Sequence, residues 1–254
     1  MKISIRGLAA ACSFLTIMLG SCSDKEEEFI TEPLSDYMLM VPGKYITYRL
    51  DSTVTTAFGV NLEIHSYQVK HVVDAEITDN EGNRAFRVFR YLRNEAGTSE
   101  WVPNGTYMVT DKDKQIEVQE DNLRFLKLQG PVREGISWKG NYQLPDRPYA
   151  ALGYNIAVVD YMKDWEYYYA AFDETLEVNG QLYNDVYTVE QENFIDNWPV
   201  MAGTAGVNIR AYEQYAKGIG LVHRSTSILE YDPGSGGAAA FNGFAVDMWM
   251  IDHN

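Results

Sequence analysis

Cysteine is nearly absent from this sequence of 254 residues, which contains only Cys12 and Cys22. Cys12 lies inside an apolar stretch at the N-terminus, so loss of that stretch would leave Cys22 as the single thiol. One cysteine cannot form an intramolecular disulfide, even in a compartment that permits disulfides. Zinc sites built from clusters of cysteine ligands are excluded for the same reason.

Basic residues are scarce relative to acidic ones. The chain has 21 Lys and Arg against 36 Asp and Glu, which gives a formal net charge of −15. Nucleic acid and anionic lipid surfaces are bound through basic surface, so the charge balance argues against both as partners. The acidic excess mainly favours solubility and does not by itself identify a cationic ligand.

Catalytic signatures are also missing. No Gly-x-Ser-x-Gly nucleophile motif occurs, and the run Gly135–Gly140 around Ser137 lacks a glycine at the required offset. Neither a phosphate-binding loop nor a dinucleotide fingerprint is present. Carboxylates are too abundant to single out a glycosidase pair. The sequence therefore predicts no catalytic residue and no cofactor, and favours a protein that is not an enzyme.

Metal-binding patterns are absent as well. Asp111 and Asp113 begin like a calcium loop, but Ile116 stands where the turn glycine belongs, which indicates a polar hairpin turn instead. The histidines are scattered and lack the spacing of a zinc site; they are His65, His71, His223 and His253. We expect no metal site.

The N-terminus does carry a recognisable pattern. Lys2 and Arg6 precede an apolar stretch from Leu8 to Leu19, which the small pair Gly20-Ser21 follows. Charged start, apolar stretch and small residues are the parts of a secretory signal peptide. The stretch is shorter than the ~20 residues of a membrane-spanning helix. We predict a signal peptide over residues 1–21.

Leu19-Gly20-Ser21-Cys22 resembles the lipobox of bacterial lipoproteins. That resemblance implies that Cys22 becomes the first mature residue and carries two or three acyl chains, such as palmitate. Two or more chains anchor a protein stably in a membrane, whereas one chain binds only marginally. The alternative is a generic signal peptide in which the cysteine has no role.

An acidic run follows the cysteine, and we predict a flexible, solvated linker over residues 22–36. The run resembles the acidic export signal of Bacteroidetes lipoproteins, carried here by Asp24, Lys25, Glu26, Glu27 and Glu28. This resemblance implies a lipid-anchored protein on the outer face of the outer membrane. A charged linker without an address, which would leave the protein on the periplasmic face, is the alternative.

Most of the remaining chain alternates in polarity with the period of β-strands, as in Ile46, Tyr48 and Leu50. Asn179-Gly180 predicts a hairpin turn, and Asp51-Ser52 a turn that ends the first strand. No clear period is visible over residues 188–205, which we predict to be a long loop or a short helix. The predicted strands cover 44–50, 67–73, 84–91, 105–109, 116–118, 123–128, 164–176, 175–178, 181–190, 215–227, 227–231 and 244–251. A short helix is the alternative for 164–176, where the density of aromatic residues favours a strand.

Closely spaced strands with turn residues between them predict a mainly β fold, an antiparallel sandwich or partly open barrel with few short helices. We expect one such domain over residues 37–254. Four segments resemble uncharacterised Bacteroidetes lipoproteins and exported half-barrel domains related to lipoprotein carriers: 41–52, 126–138, 178–186 and 215–222. The resemblance implies an antiparallel sheet curled into a half-barrel, and it transfers no catalytic residue.

An aromatic cluster offers one candidate binding surface. On a strand, Trp165, Tyr167 and Tyr169 share one face and Tyr168 points to the other. Either these aromatics build the core or one face is available to bind a ligand such as a sugar ring.

Asp51-Ser52-Thr53 resembles the O-glycosylation motif of Bacteroidetes proteins, which makes Ser52 a candidate for modification. The alternative is an ordinary turn at the end of a strand.

The features together favour a membrane-anchored, non-enzymatic surface or periplasmic lipoprotein. Its β domain is expected to bind a glycan, a lipid-like ligand or an envelope protein. Two alternatives remain: a hydrolase acting on polysaccharide, which needs two facing carboxylates, and a structural part of an envelope complex, which needs a large flat apolar patch.

Overall fold

The alternating segments of the sequence form antiparallel strands of one continuous sheet. The structure, a computed structural model, describes residues 32–178, 180–201, 203–234 and 238–254. Twelve strands occur among them: β1 (Tyr45–Thr56), β2 (Asn61–Thr78), β3 (Arg84–Asn94), β4 (Val102–Asp111), β5 (Gln115–Glu120), β6 (Leu123–Gln129), β7 (Ser137–Trp138), β8 (Tyr167–Val178), β9 (Gln181–Asp196), β10 (Gly206–Ala216), β11 (Gly220–Asp232) and β12 (Ala240–His253).

Helical structure is confined to short 3-10 segments within the described ranges. They span Leu34–Tyr37, Ala57–Gly59, Ala150–Leu152 and Ala157–Asp164. Within the part of the chain that the structure describes, no helix has both the length and the apolar character needed to cross a membrane.

The sheet order makes the topology simple. Strands lie in the order β6-β5-β4-β3-β2-β1-β12-β11-β10-β9-β8-β7. The two edge strands approach each other: the Leu126 N–H donates to the Gly140 carbonyl at 2.8 Å, and the Trp138 indole N–H donates to the Leu126 carbonyl at 2.9 Å. The sheet is therefore a nearly closed barrel. This confirms the predicted mainly β, antiparallel fold, and the barrel is closed further than the expected half-barrel.

Most strands run further than the sequence indicated, as β1 and β9 illustrate. β1 continues through Asp51 and Ser52 to Thr56, because it is paired with β2 and β12 on both sides. β9 extends to Asp196, so the prediction of a loop or short helix from residue 188 is wrong up to that point. Four successive exposed residues, 193–196, break the alternation, but pairing with β10 keeps this stretch extended.

The single strand predicted over residues 215–227 is instead a hairpin. β10 ends at Ala216 and β11 begins at Gly220. Gly218 and Gly220 have φ of +73° and +116°, values that side chains with a Cβ rarely adopt. A Cβ on Gly220 would also lie 2.8 Å from the Leu39 backbone nitrogen. The glycines therefore make the turn against the N-terminal segment and do not bend a strand.

One end of the barrel, here called the sealed end, is covered by residues 34–40. Leu34 and Tyr37 are 3% and 1% exposed and belong to the main core. The Gly218 N–H at the β10–β11 turn donates to the Asp36 carbonyl at 2.7 Å. Glu32 accepts hydrogen bonds from Tyr37 and Lys217. Leu34 falls within the range predicted as linker, so the packed core begins before Asp36.

The opposite end, here called the open end, is covered by segment 139–166 between β7 and β8. This segment places Met162 and Trp165 inside the barrel, 3% and 2% exposed. Tyr149 packs edge-on against Phe244 of β12, with ring centroids 5.0 Å apart. The Asn242 side chain donates to the Asn155 carbonyl at 2.7 Å. Different parts of the chain therefore cover the two ends.

Candidate functional site

The open end of the barrel contains a cavity of about 260 Å³. Strand alternation places its walls, because residues two apart point to the same face of a sheet. Leu50 of β1 is directly opposite Met248 of β12, which puts both on the inner face. The apolar wall residues are Leu50, Val69, Leu123, Phe125, Tyr149, Leu152, Met162, Trp165, Tyr167, Phe244, Val246 and Met248.

A layer of charged side chains, here called the charged layer, forms the base of this cavity. It consists of Arg90, Glu120, Lys127, Glu213 and Arg224, which come from five strands. The Arg224 Nε donates to Glu213 at 2.7 Å, and the Lys127 Nζ donates to the same carboxylate at 2.9 Å. Arg90 and Arg224 both pair with Glu120. The charges thus form one connected network across the barrel interior.

The charged layer separates two spaces of unequal size. A second cavity of about 30 Å³ lies on the sealed side, where Met38 and Leu39 close it. Both cavities are bordered by the same polar residues: His71, Glu120, Lys127 and Arg224. The open-end cavity is therefore a pocket with apolar walls and a polar base.

Glu213 is the best-satisfied member of the charged layer. Its carboxylate also accepts hydrogen bonds from Gln191 at 2.9 Å and Tyr215 at 2.6 Å. Burial would raise the pKa of Glu213, but Lys127, Arg224 and the Tyr215 hydroxyl together lower it to about 2. Glu213 is therefore ionised at neutral pH although it is 1% exposed.

Among the cations, the neighbouring carboxylates offset the effect of burial on the pKa to different degrees. Burial lowers the pKa of Lys127 from its ordinary value even though Glu213 is in contact with it. Burial also opposes the charge of Arg224, but Glu213 and Glu120 outweigh it and raise the pKa of that guanidinium. Glu120 holds a lowered pKa because Arg224 and Arg90 outweigh its burial.

Two buried polar atoms beside the cavity lack a partner among the described residues: Nε2 of His71 and Nε1 of Trp165. His71 is held by a 3.0 Å hydrogen bond between its Nδ1 and the Tyr107 hydroxyl. Burial lowers the pKa of His71 to about 3, so its ring is neutral at physiological pH. A buried polar atom without a partner costs about 1–3 kcal/mol, so both atoms favour a guest that satisfies them.

The predicted aromatic residues lie inside the barrel. Trp165, Tyr167 and Tyr169 are 2%, 1% and 5% exposed, whereas Tyr168 on the other face is 40% exposed. Trp165 and Tyr167 line the cavity. Tyr169 lies outside it, where its hydroxyl donates to the Gln129 carbonyl at 2.9 Å. The cluster is core, and two of its three members are also cavity wall.

The other predicted site residues are not part of this pocket. Ser52 lies within β1, opposite His65 and Val246, and not in a turn; its glycosylation stays a prediction. Cys22 and the acidic run Asp24–Glu28 lie outside the described residues. Within the described ranges, no group of three or more His, Cys, Asp and Glu side chains is arranged to hold a metal.

The charged layer escaped the sequence-based prediction. Its members are far apart in the chain, and each lies in a different strand that also carries other charged residues. Lys127 gives the one local indication of a buried charge, since it lies between the apolar residues Leu126 and Leu128. Both neighbours are buried, as is Lys127 at 7% exposed, because β6 closes the barrel and packs on both faces.

Solved structures similar to the chain come from exported proteins. A chain assigned as a lipoprotein from Parabacteroides distasonis ATCC 8503 has a TM-score of 0.43 at 7% identity, covering 86% of this chain and 98% of its own. An exported protein with a YmcC-like fold from Bacteroides fragilis NCTC 9343 has a TM-score of 0.40 at 10% identity, covering 86% and 98%.

A third solved structure is assigned as an outer membrane lipoprotein-sorting protein domain from Vibrio parahaemolyticus. It has a TM-score of 0.21 at 12% identity and covers 84% of this chain and 85% of its own. No protein-family model matches the chain, and no curated protein matches it in sequence. Similarity at this level does not assign a ligand.

Proposed function

We propose that this protein is an exported, lipid-anchored binding protein that holds a lipid-like ligand in the open-end cavity. The observation that carries the proposal is the cavity itself, with apolar walls above a polar base. Protein interiors are close-packed and leave few voids larger than a water molecule. A cavity of about 260 Å³ is therefore unusual for a core, and it approaches the ~300–1,000 Å³ of small-molecule sites.

The walls favour a lipid-like ligand over a glycan. Leu50, Leu123, Val246 and Met248 are aliphatic or thioether groups that cannot satisfy sugar hydroxyls, and they lie along the cavity. Burying apolar surface contributes about 25 cal/mol per Å², so an acyl or similar chain gains most from this site. A glycan remains a candidate only for surfaces outside the barrel.

The geometry offers little to a hydrolase. Glu120 and Glu213 are the buried carboxylates of the charged layer, and both bind Arg224. A glycosidase needs one carboxyl group that can donate a proton and a second that is free to attack or activate water. Two carboxylates held by shared cations have lowered pKa values and fit neither role.

The location of the binding domain rests on the N-terminal sequence. The lipobox-like segment ending at Cys22 supports a lipid anchor, and the acidic run after it supports the outer face of the outer membrane. The chain enters the barrel at Glu32 on the sealed end, where Lys217 binds it. The cavity lies at the other end, so a ligand enters the barrel away from that point.

Dye binding tests the cavity. A chain beginning at residue 22 with Cys22→Ser keeps the whole core cluster, since its members span Leu34 to Met250. We expect the neutral apolar dye N-phenylnaphthylamine to fluoresce on binding this chain. Val246→Phe, which fills the cavity, should weaken binding by about tenfold or more, the effect of losing ~1.4 kcal/mol.

Ala245→Phe is the matched control, because Ala245 is the neighbouring position on the outer face of β12 and should leave dye binding unchanged. Absence of dye binding by the parent chain would contradict the proposal. Equal binding by the Val246→Phe chain would contradict it too.

Acyl labelling tests the anchor. Cells that express the full chain and are fed a palmitate analogue should incorporate the label, and Cys22→Ser should abolish incorporation. Protease added to intact cells should remove the labelled protein if it lies on the outer face. A labelled protein that survives this treatment would place the domain on the periplasmic side.

A further inference from the structure

The buried charges at the base of the cavity are not balanced. Arg90, Lys127 and Arg224 supply three cations, and Glu120 and Glu213 supply two carboxylates, with side chains no more than 20% exposed. A third carboxylate, Asp121, lies 3.4 Å from Arg90 at the rim, where it is 51% exposed. The interior therefore has one positive charge more than it has buried partners.

Cations also outnumber carboxylates at the cavity surface. Arg90, Lys127, Arg224, Glu120 and Asp121 line the cavity, whereas Glu213 lies behind them and does not. Glu213 already accepts four hydrogen bonds, from Lys127, Gln191, Tyr215 and Arg224. A guest in the cavity thus meets three cations and two carboxylates, of which Asp121 is half-exposed at the rim.

We propose that the ligand is an anionic amphiphile with a single short chain, whose head group binds the cationic side of the charged layer. This inference rests on the proposed function and specifies its ligand. The Trp165 indole N–H can only donate a hydrogen bond, so it requires an acceptor such as a carboxylate or phosphate oxygen. A hydrogen bond to a charged group is stronger than one between neutral groups.

The cavity volume limits the tail. A methylene group is comparable in size to a water molecule, whose share of liquid volume is ~30 Å³. The cavity of about 260 Å³ therefore accommodates one chain of roughly eight or nine such groups.

The overall charge of −15 does not oppose this ligand. Charges on the surface are screened within ~8–10 Å at physiological ionic strength, whereas groups inside the barrel interact at a lower effective dielectric. The local excess of cations in the cavity therefore governs binding there, and the acidic surface affects mainly the rate at which an anion approaches.

A series of matched chains tests the head group. Decanoate, decanol and decylamine are titrated calorimetrically into the chain beginning at residue 22 with Cys22→Ser. We expect decanoate to bind at least about tenfold more tightly than decanol, as one charge-assisted hydrogen bond provides, and decylamine to bind most weakly. Decyl phosphate separates a general anion site from a carboxylate site.

The outcomes distinguish the two proposals. Equal binding of decanoate and decanol would overturn the anionic head group while the lipid-like ligand stands. Tighter binding of decylamine would overturn it as well. Binding of none of the ligands would contradict the proposed function, and the head-group proposal with it.

Two variants locate the contact. Arg90→Gln should reduce the preference for decanoate over decanol to about threefold or less, since it removes one of three charged donors. Arg87→Gln is the matched control on the same strand: Arg87 is paired with Asp74 on the outer face and 47% exposed. It should leave the preference unchanged.

Trp165→Phe keeps an aromatic ring but removes the unpartnered N–H. It should weaken decanoate binding severalfold with little change in melting temperature. This variant keeps the proposal testable if Arg90→Gln does not fold. Unchanged decanoate affinity in both variants would overturn the assignment of the head group to this layer.

Discussion

The two ends of the barrel are built from the same strands and share one charged layer, yet they differ in what they enclose. The sealed end retains a space of about 30 Å³, and the open end a space of about 260 Å³. Strand alternation supplies apolar side chains at both ends. The segments that cover the ends, and not the sheet, therefore decide where a ligand can bind.

The covering segments reach different degrees of packing. At the sealed end Tyr37 is 1% exposed, stacks on Tyr187 with centroids 4.4 Å apart and donates to Glu32. At the open end Tyr149 is only half-buried, and Leu152 is 59% exposed. The N-terminal segment thus acts as part of the core, whereas segment 139–166 only partly fills the space below it.

The largest expected effect comes from breaking the layer that both ends share. Glu213→Leu leaves Lys127 and Arg224 buried without their main partner, and removing one partner of a buried ion pair costs about 3–5 kcal/mol. Urea unfolding should show a loss of this size. The double variant Glu213→Leu with Lys127→Met should recover part of it, because one uncompensated cation is gone.

A loss below about 1 kcal/mol in Glu213→Leu, the range of an exposed ion pair, would show that the layer is hydrated and not a barrier between the two spaces. A double variant no more stable than the single one would show that Arg224 alone causes the loss.

The next effect separates the two ends directly. Tyr37→Ala opens a void in the sealed end and should cost about 3 kcal/mol, in the range for truncating a buried aromatic. Tyr149→Ala enlarges a space that is already present and should cost about 1 kcal/mol, since less packing is lost. Comparing both variants in urea unfolding tests whether the ends differ in packing as described.

Equal losses would contradict the comparison. Tyr149→Ala should in addition change dye binding, because Tyr149 lines the open-end cavity, whereas Tyr37→Ala should leave it unchanged.

A third effect, smaller than the loss in Tyr37→Ala, concerns pH. The pKa of His71 is lowered to about 3, so the unfolded chain binds more protons than the folded one below pH ~6.5. The contribution of the neutral His71 to the free energy of unfolding is therefore fully present above that pH, and it is lost as the pH falls towards 3. His71 alone should account for about 2 kcal/mol between pH 7 and pH 5.

His71→Gln should show a correspondingly flatter dependence in urea unfolding over that range. Glu213 titrates at lower pH, from its ordinary value of 4.5 down to about 2, and it is common to both chains. Parallel pH profiles for the two chains would contradict a buried neutral His71.

Alternation was enough to find most strands but not their ends. The alternation of Ile46, Tyr48 and Leu50 indicates β1, because one face of the strand is buried. The continuation of β1 to Thr56 depends instead on its pairing with β2 and β12. The same holds for β9, whose end at Asp196 is extended by β10. Pairing is a property of the assembled sheet, so a local pattern cannot show it.

The candidate site was predictable only in part. The shared face of Tyr167 and Tyr169 follows from strand geometry. Trp165 precedes β8 and reaches the barrel interior from the covering segment, so its predicted place on the strand is wrong. Trp165 and Tyr167 line the cavity. Whether that face was core or surface depended on barrel closure. Arg90, Glu120 and Arg224 could not be grouped in advance, because charged residues in separate strands have no common spacing in the sequence.

The sequence by itself determined where most strands lie and the antiparallel fold class, and it carries the prediction that the chain is exported and lipid-anchored. These depend on period, turn residues and short contiguous motifs, all of which are local. Only the tertiary structure decided that the barrel nearly closes, that the Tyr37 segment seals one end, and that five distant charges meet below an apolar cavity. Those features arise from contacts between residues far apart in the chain, and their free energies depend on burial, which exists only once the sheet has curled.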